Sequence, residues 1–179
     1  MGKILFIGDT HLGDEKMIKL ENRPFRNAYE QTKEIIRIWN EKVSKEDTVY
    51  VVGDFIEANA DIFHAETIAN KLNGTLILIR GNHDTQPDSF YHKLGFAKVY
   101  DVPVVLDDFW IVSHEPKNIN KNFPYANIFA HVHINPMYRT YSSRHYCVSM
   151  ERLDNFAPIT FDEIKKKIFE EDLKDNNLS

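Results

Sequence analysis

Five separate apolar runs in this chain end in side chains that can bind a metal ion, and this arrangement constrains the fold more than any other feature. The runs cover residues 3–7, 48–52, 75–79, 109–112 and 127–130. The side chains that follow them are all aspartate, asparagine or histidine: Asp9 and His11, Asp54, Asn82, His114, and His131 with His133. Because the carboxyl ends of parallel strands meet at one rim of an open α/β sheet, where ligands bind, the pattern predicts a single polynuclear metal site.

The spacing of apolar residues between these runs indicates helices. Residues 28–43 and 60–72 repeat apolar side chains at helical intervals, so the first half alternates strand and helix, which predicts parallel strands covered by helices. From about residue 98 the strands lie close together, at 99–101, 102–106 and 109–112, with a turn at Asp107 and Asp108. This half should therefore be antiparallel or mixed.

The end of the chain carries two further predicted elements. Residues 143–150 read as a last strand. Residues 160–173 read as a closing helix with Thr160 as its N-cap and Glu163 at the capping-box position.

Composition limits the class of protein. A length of 179 residues with 42% hydrophobic residues suits one domain, which we expect over residues 1–173 with a flexible tail at 174–179. The formal charge of -5 disfavours stable binding of nucleic acid, and the single cysteine excludes an internal disulfide. With no secretory signal and no apolar run long enough for a membrane span, we expect a cytoplasmic protein without membrane partners.

The chemistry of the predicted ligands favours hydrolysis of phosphate esters. Asp9 and His11 alternate on one face of an extended segment, whereas His131 and His133 leave their strand in a turn and can reach two different cations. The carboxylate of Asp54 can bridge those cations. A set of imidazole and carboxylate ligands without thiolate suits Mn²⁺, Fe or Zn²⁺. Two such ions bind phosphate oxygens and lower the pKa of a bridging water, which then attacks phosphorus.

A proton donor for the leaving group is also present in the sequence. His83 follows Asn82 directly and is placed to protonate the departing alkoxide. An acidic partner would hold the imidazole in the required tautomer, and the candidates are Asp84 and Glu57.

The connection over residues 12–26 leaves two interpretations of Arg23 open. Long loops beside sites often bind substrate, and the Arg23 guanidinium could bind two phosphate oxygens. Alternatively, Arg23 is an ion-paired anchor for a loop whose Pro24 and Phe25 pack on the core.

The motifs together resemble the calcineurin-like metallophosphoesterase superfamily. They occur in the family order as Gly8-Asp9-Thr10-His11, Gly53-Asp54, Gly81-Asn82-His83-Asp84, His114 and His131-Val132-His133. The segments Asn22-Arg23-Pro24-Phe25 and Pro158-Ile159 are similar to those of its small bacterial and phage branch. One difference is Ala130, which stands where the family usually has a glycine before the last histidine pair.

The resemblance implies a four-layer α/β/β/α sandwich of two mixed β-sheets flanked by helices. It also implies two divalent cations, for which we expect manganese, with iron, zinc, nickel or magnesium as alternatives. Residues like Asp9, His11, Asp54 and His133 would hold one cation, and residues like Asp54, Asn82, His114 and His131 the other. His83 resembles the catalytic histidine of the family.

We therefore expect a metal-dependent phosphoesterase that acts on a small phosphate ester or nucleotide, with Asn82 and Arg23 as substrate contacts. The sequence does not separate monoesters from diesters. A first alternative is a manganese-dependent nuclease acting on DNA or RNA, because residues 9–13 resemble the opening of double-strand-break repair exonucleases; the acidic charge counts against it. A second is a non-catalytic scaffold that docks partners, but such relatives usually lose His83 or several ligands, and this chain keeps them.

Overall fold

A computed structural model describes residues 2–119, 123–138 and 142–177 of the chain, with side chains through residue 170. Its strands and helices follow one another as β1 (Ile4–Ile7), α1 (Glu15–Leu20), α2 (Ala28–Lys42), β2 (Thr48–Val51), α3 (Ile62–Ala69), β3 (Thr75–Ile79), α4 (Asp88–Lys93), β4 (Phe96–Tyr100), β5 (Val104–Leu106), β6 (Trp110–Ser113), β7 (Ala126–Phe129), β8 (His145–Cys147), β9 (Ile159–Thr160) and α5 (Phe161–Asn177).

The first sheet has the strand order β4-β3-β2-β1-β9. Strands β1 to β4 are parallel, as the strand and helix alternation predicts, and β9 runs antiparallel along β1. Ile7 lies beside Val51, and Val51 beside Leu78, so β1, β2 and β3 end at the same level. The side chains that follow these three strands consequently share one rim.

The second sheet has the order β5-β6-β7-β8. β5 and β6 form a hairpin whose turn residues Asp107 and Asp108 have φ angles of 49° and 52°, as a turn that matches the strand twist requires. β6, β7 and β8 are parallel. The chain thus forms two mixed sheets with flanking helices, which confirms the predicted α/β class.

The two sheets meet at Gly8, directly after β1. The Gly8 amide donates to the Val148 carbonyl (2.7 Å), and the Met150 amide donates to the Gly8 carbonyl (3.0 Å). A Cβ on Gly8 would lie 2.4 Å from the Cβ of Ala130, so a glycine is required here. Ala130 is fully buried and occupies the space that Gly8 leaves. The alanine in place of the family glycine is therefore compatible with this packing.

Aromatic packing also joins the sheets. The Phe161 ring lies 5.4 Å from that of Phe6 in β1 and 5.3 Å from that of Trp110 in β6. At the start of the same helix, the Glu163 amide donates to Thr160 Oγ1 (3.2 Å) and the Thr160 amide donates to Glu163 Oε2 (2.9 Å). The predicted capping box of α5 is confirmed.

The structure differs from the sequence-based expectations in several elements. β4 begins at Phe96 and pairs with β3 in the first sheet, whereas the close spacing of the later strands predicts that residues 99–101 belong to the second half of the fold. β8 is not the last strand, because β9 follows it. The short helices α1 and α4 were not predicted, since six residues are too few to establish helical periodicity. α5 continues to Asn177 rather than ending near residue 173, and residues 178 and 179 lie outside the described part.

No helix in the described ranges has the length and apolar character needed to traverse a lipid bilayer.

Candidate metal centre

The loops that follow β1 and β2 run side by side and present their ligands together. The Asp9 amide donates to the Gly53 carbonyl (3.0 Å), and the His11 amide donates to the Asp54 carbonyl (2.9 Å). These backbone hydrogen bonds hold Asp9, His11 and Asp54 at the carboxyl ends of neighbouring parallel strands, as the sequence pattern predicts.

One group of ligands consists of Asp9, His11 and His133, whose ligand atoms all lie within 4.8 Å of one another. The Asp9 Oδ2 atom accepts a hydrogen bond from the His131 amide (2.8 Å), which ties the first motif to the last. Within the described ranges, Asp9 Oδ1 and both ring nitrogens of His11 are buried without hydrogen-bond partners. Leaving such groups unsatisfied costs about 1–3 kcal/mol each, and a bound cation would satisfy Asp9 Oδ1 and one nitrogen of the His11 ring.

A second group consists of Asn82, His114 and His131. The Asn82 Oδ1 atom lies 3.1 Å from His114 Nε2 and 3.0 Å from His131 Nδ1, and these two ring nitrogens are 3.1 Å apart. The His114 Nδ1–H can donate to the Val52 carbonyl (2.9 Å), which turns Nε2 toward the group. Converging nitrogen and oxygen lone pairs of this kind suit a divalent cation.

Asp54 lies between the two groups. Its Oδ2 atom is 3.5 Å from His11 Nε2 and 3.4 Å from His114 Nε2, while Oδ1 accepts from the His83 amide (2.9 Å). One carboxylate thus faces an imidazole from each group, which is the arrangement expected of a bridging ligand. The residues present fit two divalent cations bound by nitrogen and oxygen.

Burial and charge perturb the titration of these side chains. Burial raises the pKa of Asp9 to about 6 and lowers that of His11 to about 4. Burial also acts to raise the pKa of Asp54, but the hydrogen bond and charge of His114 outweigh it and hold that pKa at about 2. Burial opposes the charged form of His114 as well, yet Asp54 and Asp9 raise its pKa to about 9. Asp54 and His114 therefore stabilise each other's charged forms.

The backbone at the ligands is strained. Five of the seven predicted ligands have φ in the left-handed region, which side chains other than glycine rarely adopt: Asp9 (54°), His11 (42°), Asp54 (55°), His131 (72°) and His133 (45°). Such strain concentrates at functional sites.

The glycines of two motifs have a steric explanation. A Cβ on Gly53 would lie 2.2 Å from His114 Nδ1, and one on Gly81 would lie 2.2 Å from Asp54 Oδ1. The motif glycines thus provide the space that the ligands occupy.

The predicted catalytic residues lie in different environments. His83 is exposed, and its ring centroid lies 5.2 Å from that of His11. Asp84 is buried and accepts from the amides of Asp54 (2.7 Å), Phe55 (3.2 Å) and Gly81 (2.8 Å). Its carboxylate therefore holds the backbone of the two loops; among the described residues it makes no hydrogen bond to the His83 ring, so its role as the partner of His83 stays a prediction. Glu57 is exposed, and in the described part of the chain its carboxylate makes no hydrogen bond to His83, so its role stays a prediction.

Arg23 lies behind the first ligand group rather than facing solvent. Nε and Nη2 donate to Glu151 Oε1 (2.9 and 2.5 Å), Nη2 also donates to the Asp9 carbonyl (2.6 Å), and Nη1 donates to the Thr10 carbonyl (2.9 Å) and to Gln31 Oε1 (3.2 Å). All five N–H groups are thus engaged within the protein. The geometry favours the structural anchor over the substrate contact.

Sequence reasoning missed Glu151 and Gln31. Glu151 Oε1 lies 3.0 Å from His133 Nδ1, and Gln31 Nε2 donates to the His11 carbonyl (3.0 Å). Glu151 directly follows the strand predicted over residues 143–150, so an acidic residue at a sixth strand end was a signal that could have found it. Gln31 lies within α2 and carries no such signal.

Comparisons with known proteins identify relatives that match nearly the whole chain. The chain is 34% identical over 176 residues to the uncharacterized protein MJ1445 of Methanocaldococcus jannaschii, which covers 94% of this chain and 92% of that protein. A protein of unknown function from Aquifex aeolicus, AQ665, has a similar structure, with a TM-score of 0.69, 25% identity and coverage of 93% of this chain and 99% of that one.

The nuclease MPE of Pseudomonas putida shares the fold, with a TM-score of 0.50 and 24% identity over 73% of this chain and 61% of that one. The family model for calcineurin-like phosphoesterases matches residues 2–178. The chain therefore belongs to the calcineurin-like phosphoesterase family.

Proposed function

We propose that this protein hydrolyses small phosphate mono- or diesters, including nucleotides, at a centre of two divalent cations, with manganese as the preferred metal. The observation that carries the proposal is the convergence of seven nitrogen and oxygen ligands from five strand ends into two groups with Asp54 between them. Asp9, His11, Asp54 and His133 would hold one cation, and Asp54, Asn82, His114 and His131 the other.

Two divalent cations, when bound, would neutralise charge on the phosphoryl oxygens and supply a water nucleophile at neutral pH. The exposure of the ligand side chains determines from which side the ester can reach the centre. Asp9, His11, Asp54 and His114 are at most 5% exposed, whereas Asn82, His83 and His131 are exposed. An ester therefore approaches from the side of Asn82, His83 and His131.

Asn82 can serve the cation and the substrate at once. Its Oδ1 atom faces the second ligand group, at 3.1 Å from His114 Nε2. Its Nδ2 amide group then remains to donate hydrogen bonds to a phosphoryl oxygen. The predicted role of Asn82 as a substrate contact is thus compatible with its role as a ligand.

His83 is the proposed general acid. Its backbone amide is bound to Asp54 Oδ1 (2.9 Å), which fixes the residue beside the centre, while its imidazole remains exposed. From this position the ring can transfer a proton to the ester oxygen of the leaving group.

Replacing Asp54 tests the centre itself. Asp54→Asn should abolish Mn²⁺-stimulated hydrolysis of p-nitrophenyl phosphate and bis-p-nitrophenyl phosphate, because the amide cannot bridge two cations as a carboxylate can. His92→Ala, which replaces an exposed histidine on α4, is the matched control and should retain wild-type rates. Unchanged hydrolysis by Asp54→Asn would refute the proposal. Labelled single-stranded and duplex DNA belong in the same assay, because efficient cleavage would favour the nuclease alternative.

The role of His83 has a test that depends on the leaving group. General acid catalysis contributes about 10²–10⁴-fold, and it matters most when the departing oxygen is basic. His83→Ala should therefore slow hydrolysis of phenyl phosphate far more than that of p-nitrophenyl phosphate. An equal loss with both esters would exclude His83 as the proton donor.

A further inference from the structure

We propose that Glu151 is a positioning residue for the metal ligand His133, and that Arg23 holds the Glu151 carboxylate in place. The inference rests on the two-cation centre proposed above. It assigns a role to two residues outside the ligand set, and it predicts that they support one of the two cations selectively.

The contact between Glu151 and His133 determines which nitrogen faces the ligand group. Glu151 Oε1 lies 3.0 Å from His133 Nδ1, and the Glu151 side chain is only 4% exposed. A carboxylate in this position accepts the Nδ1–H, so Nε2 is left unprotonated as the ligand atom. The His133 ring also stacks at 5.5 Å on that of His11, which fixes its plane.

Arg23 stabilises the buried carboxylate. Its side chain is fully buried, and two of its N–H groups bind Glu151 Oε1, at 2.9 and 2.5 Å. A buried carboxylate without such a partner would be strongly disfavoured in its charged form. Because the same guanidinium donates to the carbonyls of Asp9 and Thr10, Arg23 also ties the first ligand loop to Glu151.

The second cation has a different support. The ring of His114 is oriented by the backbone carbonyl of Val52, at 2.9 Å from Nδ1. The Nδ1 atom of His114 thus contacts a neutral backbone carbonyl, whereas the Nδ1 atom of His133 contacts a carboxylate. This asymmetry predicts that removing the Glu151 carboxylate weakens the cation held with Asp9 and His11 and spares the cation held with His114 and Asn82.

Manganese binding to the full-length protein tests the inference directly, without reference to activity. Isothermal titration and metal analysis after desalting should give two cations per chain for the wild type. Glu151→Ala should bind one of them about 10–100-fold more weakly, as is typical when a partner of a ligating histidine is lost, and should retain about one cation after desalting. Glu151→Gln keeps the side-chain volume and an acceptor for Arg23, so it provides the measurement if Glu151→Ala does not fold.

A matched control separates positioning from general stability. Asp47 is also a buried carboxylate, which accepts from the amides of Lys3 (2.6 Å) and Ser44 (2.8 Å) before β2, at the opposite end of the first sheet. Asp47→Asn should lower the melting temperature and leave both manganese affinities unchanged. Glu151→Gln should weaken one affinity only.

Two results would overturn the inference: wild-type affinity for both cations in the folded Glu151 variants, or an equal loss at both sites. The proposed function fails separately, if the wild type binds two cations and hydrolyses no phosphate ester. Arg23→Lys adds a further check. It retains the charge but cannot make five directed bonds, so it should weaken the same cation as Glu151→Gln.

Discussion

Replacing Asp84 with alanine should destabilise the protein well beyond the usual effect of losing a carboxylate. Asp84 is 4% exposed and accepts from three backbone amides, those of Asp54, Phe55 and Gly81. Asp54 and Phe55 are themselves buried, at 2% and 0% exposure, so water cannot replace the lost acceptor for their N–H groups. The Gly81 amide is only partly buried and can bind water instead.

The magnitude follows from this difference. A buried donor left without a partner costs about 1–3 kcal/mol, so the two buried amides together cost about 2–6 kcal/mol. Burial raises the pKa of the Asp84 carboxyl, which means that the folded protein pays to keep this group charged. Alanine removes that cost, so we expect a net loss in the lower part of the range, about 2–4 kcal/mol.

Equilibrium unfolding in urea measures this loss. The matched control is Asp61→Ala, because Asp61 accepts from the amides of Phe63 (3.0 Å) and His64 (3.1 Å) at the exposed start of α3. Removal of such an N-cap costs about 1 kcal/mol. If Asp84→Ala were no more destabilising than Asp61→Ala, the reasoning from buried donors would be wrong.

Two further predictions concern the cations. Gly81→Ala places a Cβ 2.2 Å from Asp54 Oδ1 and 2.7 Å from the Asp54 amide nitrogen. It should therefore displace the Asp54 carboxylate from between the two ligand groups and reduce manganese binding below two ions per chain. Two tightly bound manganese ions in this variant would contradict the prediction. The increase in melting temperature caused by Mn²⁺ should be larger at pH 8 than at pH 6. Asp54 and Asp9 raise the folded pKa of His114 to about 9. The stability that protonation of His114 gives the metal-free protein is therefore present below pH 6.5 and is lost as the pH rises toward 9. Cation binding requires the neutral ring, so Mn²⁺ competes with this proton less as the pH rises. If the rise in melting temperature caused by Mn²⁺ were smaller at pH 8 than at pH 6, the argument would be refuted.

The elements that carry the ligands could be predicted because each has a strong local signal. β1, β2 and β3 are short apolar runs, and α2 shows a clear amphipathic pattern that buries Ile35 and Trp39. The capping box of α5 needs only four consecutive residues to be recognised. In contrast, β9 has two residues and forms only by pairing with β1, so no local pattern could reveal it.

The supporting residues of the site were harder to predict because their partners are distant in sequence. Arg23 and Glu151 are 128 positions apart, and their pairing depends on the meeting of the two sheets at Gly8. The sequence left the role of Arg23 open and did not single out Glu151. Likewise, Asp84 was a candidate partner of His83 by adjacency, but the fold turned its carboxylate toward the amides of the preceding loop.

The sequence by itself determined the class of fold, the family and the order of the seven ligands. The reason is that strand ends and ligand residue types can both be recognised from short stretches of sequence. The family resemblance also implied how the ligands divide around Asp54. Only the tertiary structure decided which residues orient them and that Arg23 lies beneath the centre. The physical reason is that these relations join strands from separate parts of the chain. They depend on register between strands, on left-handed backbone at the ligands and on burial, none of which a local sequence pattern encodes.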